Sequence, residues 1–323
     1  MTHARSNGSP APVVSNSRQT PALAAGTMTP FDDIYDQPDP RAYFRELSPW
    51  EYQTPHHAQP IFRRMLTACR PAGPGTVLDL CCSYGINAAL LNHDLTLADL
   101  YARYTSPQAT ELTTAELIEW DRAYYAAHRR SDPARVIGLD AAPHAVSYAH
   151  AVGLLDEGFA ENLESAPPSP ALLQAARHTR LIAVTGGASF LSPLTFEPLL
   201  DCVHSPVWVA AFVLRTHSYR RIAECLEPYG LRTEKAVPHT FPQRRFTSRQ
   251  EQQYAIDAVT AVKRGSTEQG DPRLLPHHAV PVAFRDRRRT NSTDHPGPGI
   301  LTPSKSPTRN SSRRSPTASR HWL

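Results

Sequence analysis

Val77-Leu78-Asp79-Leu80-Cys81-Cys82-Ser83-Tyr84-Gly85 is an apolar run that reaches an acid and then breaks into a turn of small residues. Bounded by Pro74-Gly75, its first half predicts a parallel strand covered on both faces. Behind the turn, Ile86-Asn87-Ala88-Ala89-Leu90-Leu91 predicts the crossover helix. Small side chains at such a turn let a ligand approach the backbone, and the first N–H groups of the helix, which have no intrahelical partner, point at it. An ordinary buried strand-to-helix turn has the same look, so the next strand carries weight.

Arg135-Val136-Ile137-Gly138-Leu139-Asp140 is a second apolar run ending in a carboxylate, followed by Ala141-Ala142-Pro143 and an alanine-rich stretch reaching Leu155. Strand, acid and helix recur in that order. At the carboxyl end of a second strand, a carboxylate can accept hydrogen bonds from ribose hydroxyls; on its own, Asp140 reads equally as a helix cap. Pro143 suits a first helical turn, where its missing N–H costs nothing. Gly158-Phe159-Ala160-Glu161-Asn162-Leu163 predicts a short third strand, Leu181-Ile182-Ala183-Val184-Thr185-Gly186-Gly187 a fourth ending in a flexible turn, and Val207-Trp208-Val209-Ala210-Ala211-Phe212-Val213-Leu214 a buried fifth. Every ligand candidate then lies at a strand carboxyl end, the edge at which open α/β sheets bind ligands.

At these residues the chain resembles the class I S-adenosylmethionine-dependent methyltransferases, whose first motif reads Asp/Glu-x-Gly-x-Gly-x-Gly. Asp79 and Gly85 match it; Cys81 and Ser83 stand at the first two glycine positions and would be strained wherever φ is positive. The resemblance covers residues 76–214. It implies a Rossmann-like, doubly wound, mostly parallel α/β sheet that binds S-adenosyl-L-methionine without a metal. Around that cofactor it places Asp79, Cys81, Ser83, Tyr84 and Gly85, then Asp140 and Ala141 at the ribose, Glu161 and Asn162 near the adenine, and Thr185, Gly186 and Gly187 at the end of the fourth strand. It further implies that residues before the first strand fold over the cofactor and shape the substrate pocket. There Tyr52 could orient the substrate and His57, from Pro55-His56-His57, could act as general base near neutral pH; a surface histidine pair is the plainer reading. Thr185-Gly186-Gly187-Ala188-Ser189-Phe190 lacks the Asn/Asp-Pro-Pro-Tyr/Phe pattern of enzymes that methylate nucleic-acid bases, so the expected acceptor is a small molecule or a protein side chain. The alternative is a non-catalytic Rossmann-like nucleotide-binding protein.

The rest of the chain frames this core. About fifty residues (86–134) separate the first two strands, far more than a crossover needs, and their apolar spacing predicts an insertion of two amphipathic helices over about 96–130. Thr113-Thr114-Ala115-Glu116 reads as a capping box opening the second of them, and its aromatic residues read as packing. The expected domains are a disordered leader (1–29), rich in Ser, Ala, Pro and Thr, an α/β domain (30–264) and a disordered basic tail (265–323). From Arg264 onward eleven Lys and Arg face four acids, a net charge of +7 that leaves −3 for the remainder of a chain whose total is +4. Such a tail could neutralise nucleic-acid phosphates, yet Phe284 is the one aromatic residue among its arginines before Trp322, too few for a stacking platform. In Phe241-Pro242-Gln243-Arg244-Arg245-Phe246 the paired arginines read either as a contact for an acidic substrate or as solvated charges at a sheet edge. No apolar stretch approaches the roughly 20 residues that span a bilayer, and the amino-terminal segment lacks a secretory apolar core. Five cysteines form no paired framework and point to a reducing, cytoplasmic setting. Cys81-Cys82 reads as packed free thiols or, since a helix start lowers a thiol pKa, as a redox pair.

Overall fold

Five of the apolar runs form parallel strands, β1 (Thr76–Leu80), β2 (Arg135–Asp140), β3 (Glu157–Ala160), β4 (Thr179–Thr185) and β5 (Trp208–Leu214). They lie in the order β3-β2-β1-β4-β5, so the winding reverses between β1 and β4. The computed structural model describes residues 28–69, 75–204, 206–235, 240–265 and 278–286. Beyond β5 the sheet continues with β6 (Leu231–Lys235), β7 (Phe241–Pro242) and β8 (His278–Asp286). β8 runs antiparallel to β5 on one side and to β6 and β7 on the other, giving a mostly parallel, doubly wound α/β sheet.

β8 corrects the expectation that everything from residue 265 is a disordered tail. Pro281 makes its sequence read as a broken strand. In the sheet that proline falls between the registers of β6, which ends at Val282, and β7, which ends at Ala279, while β5 pairs across it. The expected leader, apart from Met28 and Thr29, and the tail at 266–277 and 287–323 lie outside the described residues.

Alternation along each strand sorts the core into two layers. Val77, Val136, Leu181, Ala183, Ala210 and Phe212 face α2 (Thr54–Cys69) and α3 (Ile86–Asn92), through Phe62, Leu66, Ala89 and Leu90. Leu78, Leu80, Ile137, Leu139, Ile182, Val184 and Val209 face Leu172 of α8 (Pro170–Ala176) and Phe196 and Leu199 of α9 (Pro193–Cys202). Around these layers lie α1 (Arg41–Leu47), α7 (Pro143–Ala151), α10 (Arg220–Leu226) and α11 (Arg249–Gly265). No helix among the described residues is long and apolar enough to cross a membrane.

The insertion has three helices rather than two: α4 (Leu97–Tyr104), the short α5 (Pro107–Glu111) and α6 (Thr114–His128). Thr113 and Glu116 form the expected capping box on α6, and Thr96 with Asp99 forms another on α4. The aromatic residues pack. Asp121 is fully buried and accepts bonds from Arg103 Nε (2.6 Å), Tyr104 Oη (2.6 Å) and Tyr148 Oη of α7. The Arg103 guanidinium lies 3.3 Å from the Trp120 ring centre and 3.9 Å from that of Tyr124. This buried charge is therefore paired and hydrogen-bonded, the condition under which burial is tolerated.

The same insertion grips the segment before β1. Arg41 pairs with Asp39 (2.7 Å) and donates to the Ala109 and Leu112 carbonyls (2.9 and 2.7 Å), while Thr114 Oγ1 donates to Asp39 (2.7 Å). Phe44 stacks on Tyr104, with ring centres 4.7 Å apart, and Tyr101 Oη donates to the Tyr52 carbonyl (3.0 Å). Residues 39–52 are thereby fixed from behind.

Candidate functional site

At the carboxyl end of β1 the backbone takes a left-handed conformation at alternate residues: φ is 56° at Cys81, 49° at Ser83 and 75° at Gly85. Two of the three carry side chains, a conformation that persists only when its surroundings impose it. Part of that constraint is visible. The Cys82 N–H donates to the Leu139 carbonyl (3.3 Å), the Gly85 N–H to the Cys82 carbonyl (2.9 Å), and the Ser83 N–H to Asp140 Oδ2 (2.8 Å).

Asp140 thus holds the turn from the end of β2. Its other oxygen accepts the Ala142 N–H (3.0 Å). Burial raises its pKa above the ordinary carboxylate value, against the lowering pull of those N–H groups. Each carboxylate oxygen retains acceptor capacity for a hydroxyl. Neither the cap alone nor a free ribose ligand describes Asp140: it braces the turn and still presents a carboxylate at the strand end.

Asp79 points to the opposite face from Leu78 and Leu80, towards α3, where Asn87 Nδ2 donates to its Oδ1 (2.8 Å). The residue is wholly buried, and burial drives its pKa to about 7 despite that bond. Oδ2 of Asp79 has no hydrogen-bond partner, nor do the buried Ser83 Oγ and Thr185 Oγ1. Buried polar atoms without partners are costly. Three of them come from the end of β1, its turn and the end of β4, the elements that flank the point where the winding reverses, the place where a ligand fits such a sheet.

Cys81 reaches across that reversal. A Cβ built on Gly187 would stand 2.4 Å from Cys81 Sγ, so only a glycine leaves room for this thiol at the end of β4. Cys82 turns the other way, into the space that Gly138 leaves beside Leu155. Burial, reinforced by the nearby carboxylates of Asp140 and Asp79, pushes both thiols well above their ordinary pKa. The two thiols turn to opposite sides of the turn, and burial works against the thiolate that a redox pair needs; all five cysteines are free.

Gly186, with φ of 81°, approaches Tyr52: a Cβ there would stand 2.7 Å from Tyr52 Oη. Tyr52 is buried and its pKa rises to about 12, through burial above all, so it remains a hydrogen-bond donor at neutral pH. His57 lies elsewhere. Its ring packs 5.0 Å from Phe241, which packs on Phe212, the β5 neighbour of Thr185, and its Nε2 lies 3.2 Å from Gln53 Oε1. It lines a surface pocket of about 330 Å³ with His56, Gln59, Arg63, Arg64 and Phe241. That pocket includes no residue of the β1 turn, and neither does a second one between α9 and α10.

The remaining expected residues divide. Tyr84 is buried and turns from the strand ends towards the amino-terminal cover, its Oη accepting the Gln37 N–H (2.8 Å) and lying 3.1 Å from the Ile34 carbonyl. Glu161 accepts from Ser169 N–H and Oγ (2.9 and 2.5 Å) at the start of α8, and Asn162 Oδ1 accepts the Glu164 N–H (3.0 Å). These two side chains are engaged in turn and cap bonds at the end of β3. Ala141 directly follows Asp140, and its N–H also serves that carboxylate.

Sequence reasoning missed Asn87, whose only signal was an amide in an otherwise apolar helix. It also left the arginine pair open. Arg244 is buried in an ion pair with Glu251 (2.6 Å), and against the cost of burial this pairing, with the Thr247 and Thr29 N–H groups, holds Glu251 at about 2. Arg245 forms an exposed pair with Glu51 (2.6 Å). No group of His, Cys, Asp and Glu among the described residues could hold a metal ion.

The sequence matches no family model and no curated protein. Solved structures similar in part include magnesium protoporphyrin IX methyltransferase from Synechocystis PCC 6803 with bound SAM, at 11% identity over 72% of this chain and 79% of that one, with a TM-score of 0.36. The plantazolicin methyltransferase BamL, in complex with an analog and SAH, is similar at 11% identity over 76% and 88%, with a TM-score of 0.40. The N-methyltransferase NodS from Bradyrhizobium japonicum WM9, in complex with SAH, shows 12% identity over 70% and 86%, with a TM-score of 0.31. Likenesses this distant carry no argument about chemistry, which the residues of this chain must supply.

Proposed function

We propose that this chain binds S-adenosyl-L-methionine at the β1 turn and transfers its methyl group to a small molecule or a protein side chain. One observation carries the reading. The turn keeps left-handed backbone at Cys81, Ser83 and Gly85 although only one is glycine, and the carboxylate at the end of β2 ties that turn down through the Ser83 N–H. Left-handed backbone held at side-chain-bearing residues is strain, and strain concentrates where a ligand is gripped. The buried, unpartnered oxygens of Asp79, Ser83 and Thr185 fit a polar ligand in the same crevice.

Asp140 would hold the ribose hydroxyls and the turn would lie under the rest of the cofactor. When bound, that cofactor supplies an electrophilic methyl group on a sulfonium. The chain's own task is then placement, because an in-line displacement depends chiefly on bringing an acceptor atom into alignment. Tyr52, held by Tyr101 and protonated near neutral pH, would donate a hydrogen bond that orients the acceptor. His57, behind Phe241, would reach a proton only through an intervening group, which favours Tyr52 as the acceptor-facing residue. The free thiols fit a cytoplasmic protein, and the Thr185-Gly186-Gly187 turn fits an acceptor other than a nucleic-acid base.

Titration calorimetry with S-adenosylmethionine and S-adenosylhomocysteine tests this reading. Saturable binding of both, weakened about tenfold or more by Asp140→Asn through loss of a charge-assisted bond, is expected. Binding that ignores Asp140→Asn would remove the assignment. Binding without transfer to any acceptor would leave a nucleotide-binding protein.

A further inference from the structure

Cys81 puts the bulk of a thiol against a bare glycine wall at the strand ends. Its side chain leaves a left-handed residue and lies against Gly187 across the β1–β4 crevice. A ligand whose ribose sits on Asp140 has one end towards β3 and the other across the turn towards that crevice. The crevice end is the one near Asp79, a carboxylate wholly buried behind the turn and close enough to act on the Cys81 thiol, so a cationic extension from the ribose is assigned there rather than a neutral base. Any such extension must pass Cys81, which closes the gap between the two strand ends down to the bare backbone of Gly187.

We propose that Cys81 is a size filter at this crevice, so that the site holds the nucleoside part of its ligand well and admits the amino-acid part of S-adenosylmethionine only against the bulk of this thiol. The inference rests on the binding reading above and adds a selectivity to it. A single group of this size discriminates by a factor of about ten or more in a closed pocket. The filter also explains why the crevice contains glycine at 187: a side chain on both walls would leave no path at all.

Calorimetry with two probes, 5′-methylthioadenosine and S-adenosylmethionine, separates the possibilities in the 323-residue chain. The parent protein should bind the truncated nucleoside at least as tightly as S-adenosylmethionine. Cys81→Gly should improve S-adenosylmethionine about tenfold and leave 5′-methylthioadenosine within about twofold. Cys81→Ala keeps the strained backbone but removes the sulfur, so it should show most of the same gain; Ser83→Gly relieves strain without widening the crevice and should leave the ratio of the two affinities unchanged. Equal gains for both probes in Cys81→Gly, or a ratio shifted as far by Ser83→Gly, would show that strain and not size is being measured and would overturn the filter while sparing the binding reading. No binding of either probe by the parent or by Cys81→Gly would overturn both.

Discussion

At the scale of single residues, the two acids of the site carry different loads. Because Asp140 accepts the Ser83 and Ala142 N–H groups and also serves that of Ala141, Asp140→Ala takes the acceptor from backbone donors of the turn and of the α7 start, so the apo protein should lose about 1–3 kcal/mol in thermal unfolding. A fully unchanged transition would mean that the turn does not need this brace. Asp140 was legible as a strand-end acid; its second role was not, since nothing in the sequence says that a backbone N–H at Ser83 comes within reach. Asp79 gives a pH signature. Its folded pKa, raised by burial to about 7, lies above the unfolded value near 3.8, so the folded state binds the extra proton and stability falls as pH rises between those values. Asp79→Asn removes this loss and keeps an acceptor for Asn87. Denaturant unfolding should find the variant more stable than the parent at pH 8 and close to it at pH 4, whereas an equal difference at both pH values would contradict the assignment.

At the scale of elements, the insertion is the support of the site's cover. The chain of contacts runs from Asp121 through Tyr104 to Phe44, and in parallel from Tyr101 to the Tyr52 carbonyl. Asp121→Asn leaves the Arg103 guanidinium in a buried site without its counter-charge, which should cost about 3–5 kcal/mol. Thermal unfolding measures that loss, and a change below about 1 kcal/mol would show that the network is not what binds α4 to α6 and α7. The existence of an insertion was legible from the excess length before β2, and the α6 capping box from its Thr-x-x-Glu spacing. The break between α4 and α5 was not, because Ser106-Pro107 can open a new helix without interrupting the apolar spacing.

At the scale of the molecule, β1 to β5 were legible because parallel strands buried on both faces are near-continuous apolar runs. β8 was hidden by Pro281 and by the arginines that follow it, and its partner β5 is far away in sequence. Its position between β5 and β6 reverses what truncation should do. Ending the chain at residue 265 removes the strand to which β6 and β7 pair, so unfolding should lose cooperativity, whereas ending it after Arg287 should preserve the transition. Equal stability of the two truncations, followed by chemical denaturation, would place β8 outside the cooperative fold. Function in this molecule turns on where the ligand sits, and amide chemical shifts followed during titration with S-adenosylhomocysteine measure that directly. The largest changes should fall on the amides of Ser83, Gly85, Ala142 and Gly186, at the ends of β1, β2 and β4. Changes confined to the His56–Arg64 face of α2, with the β1 turn unmoved, would contradict it.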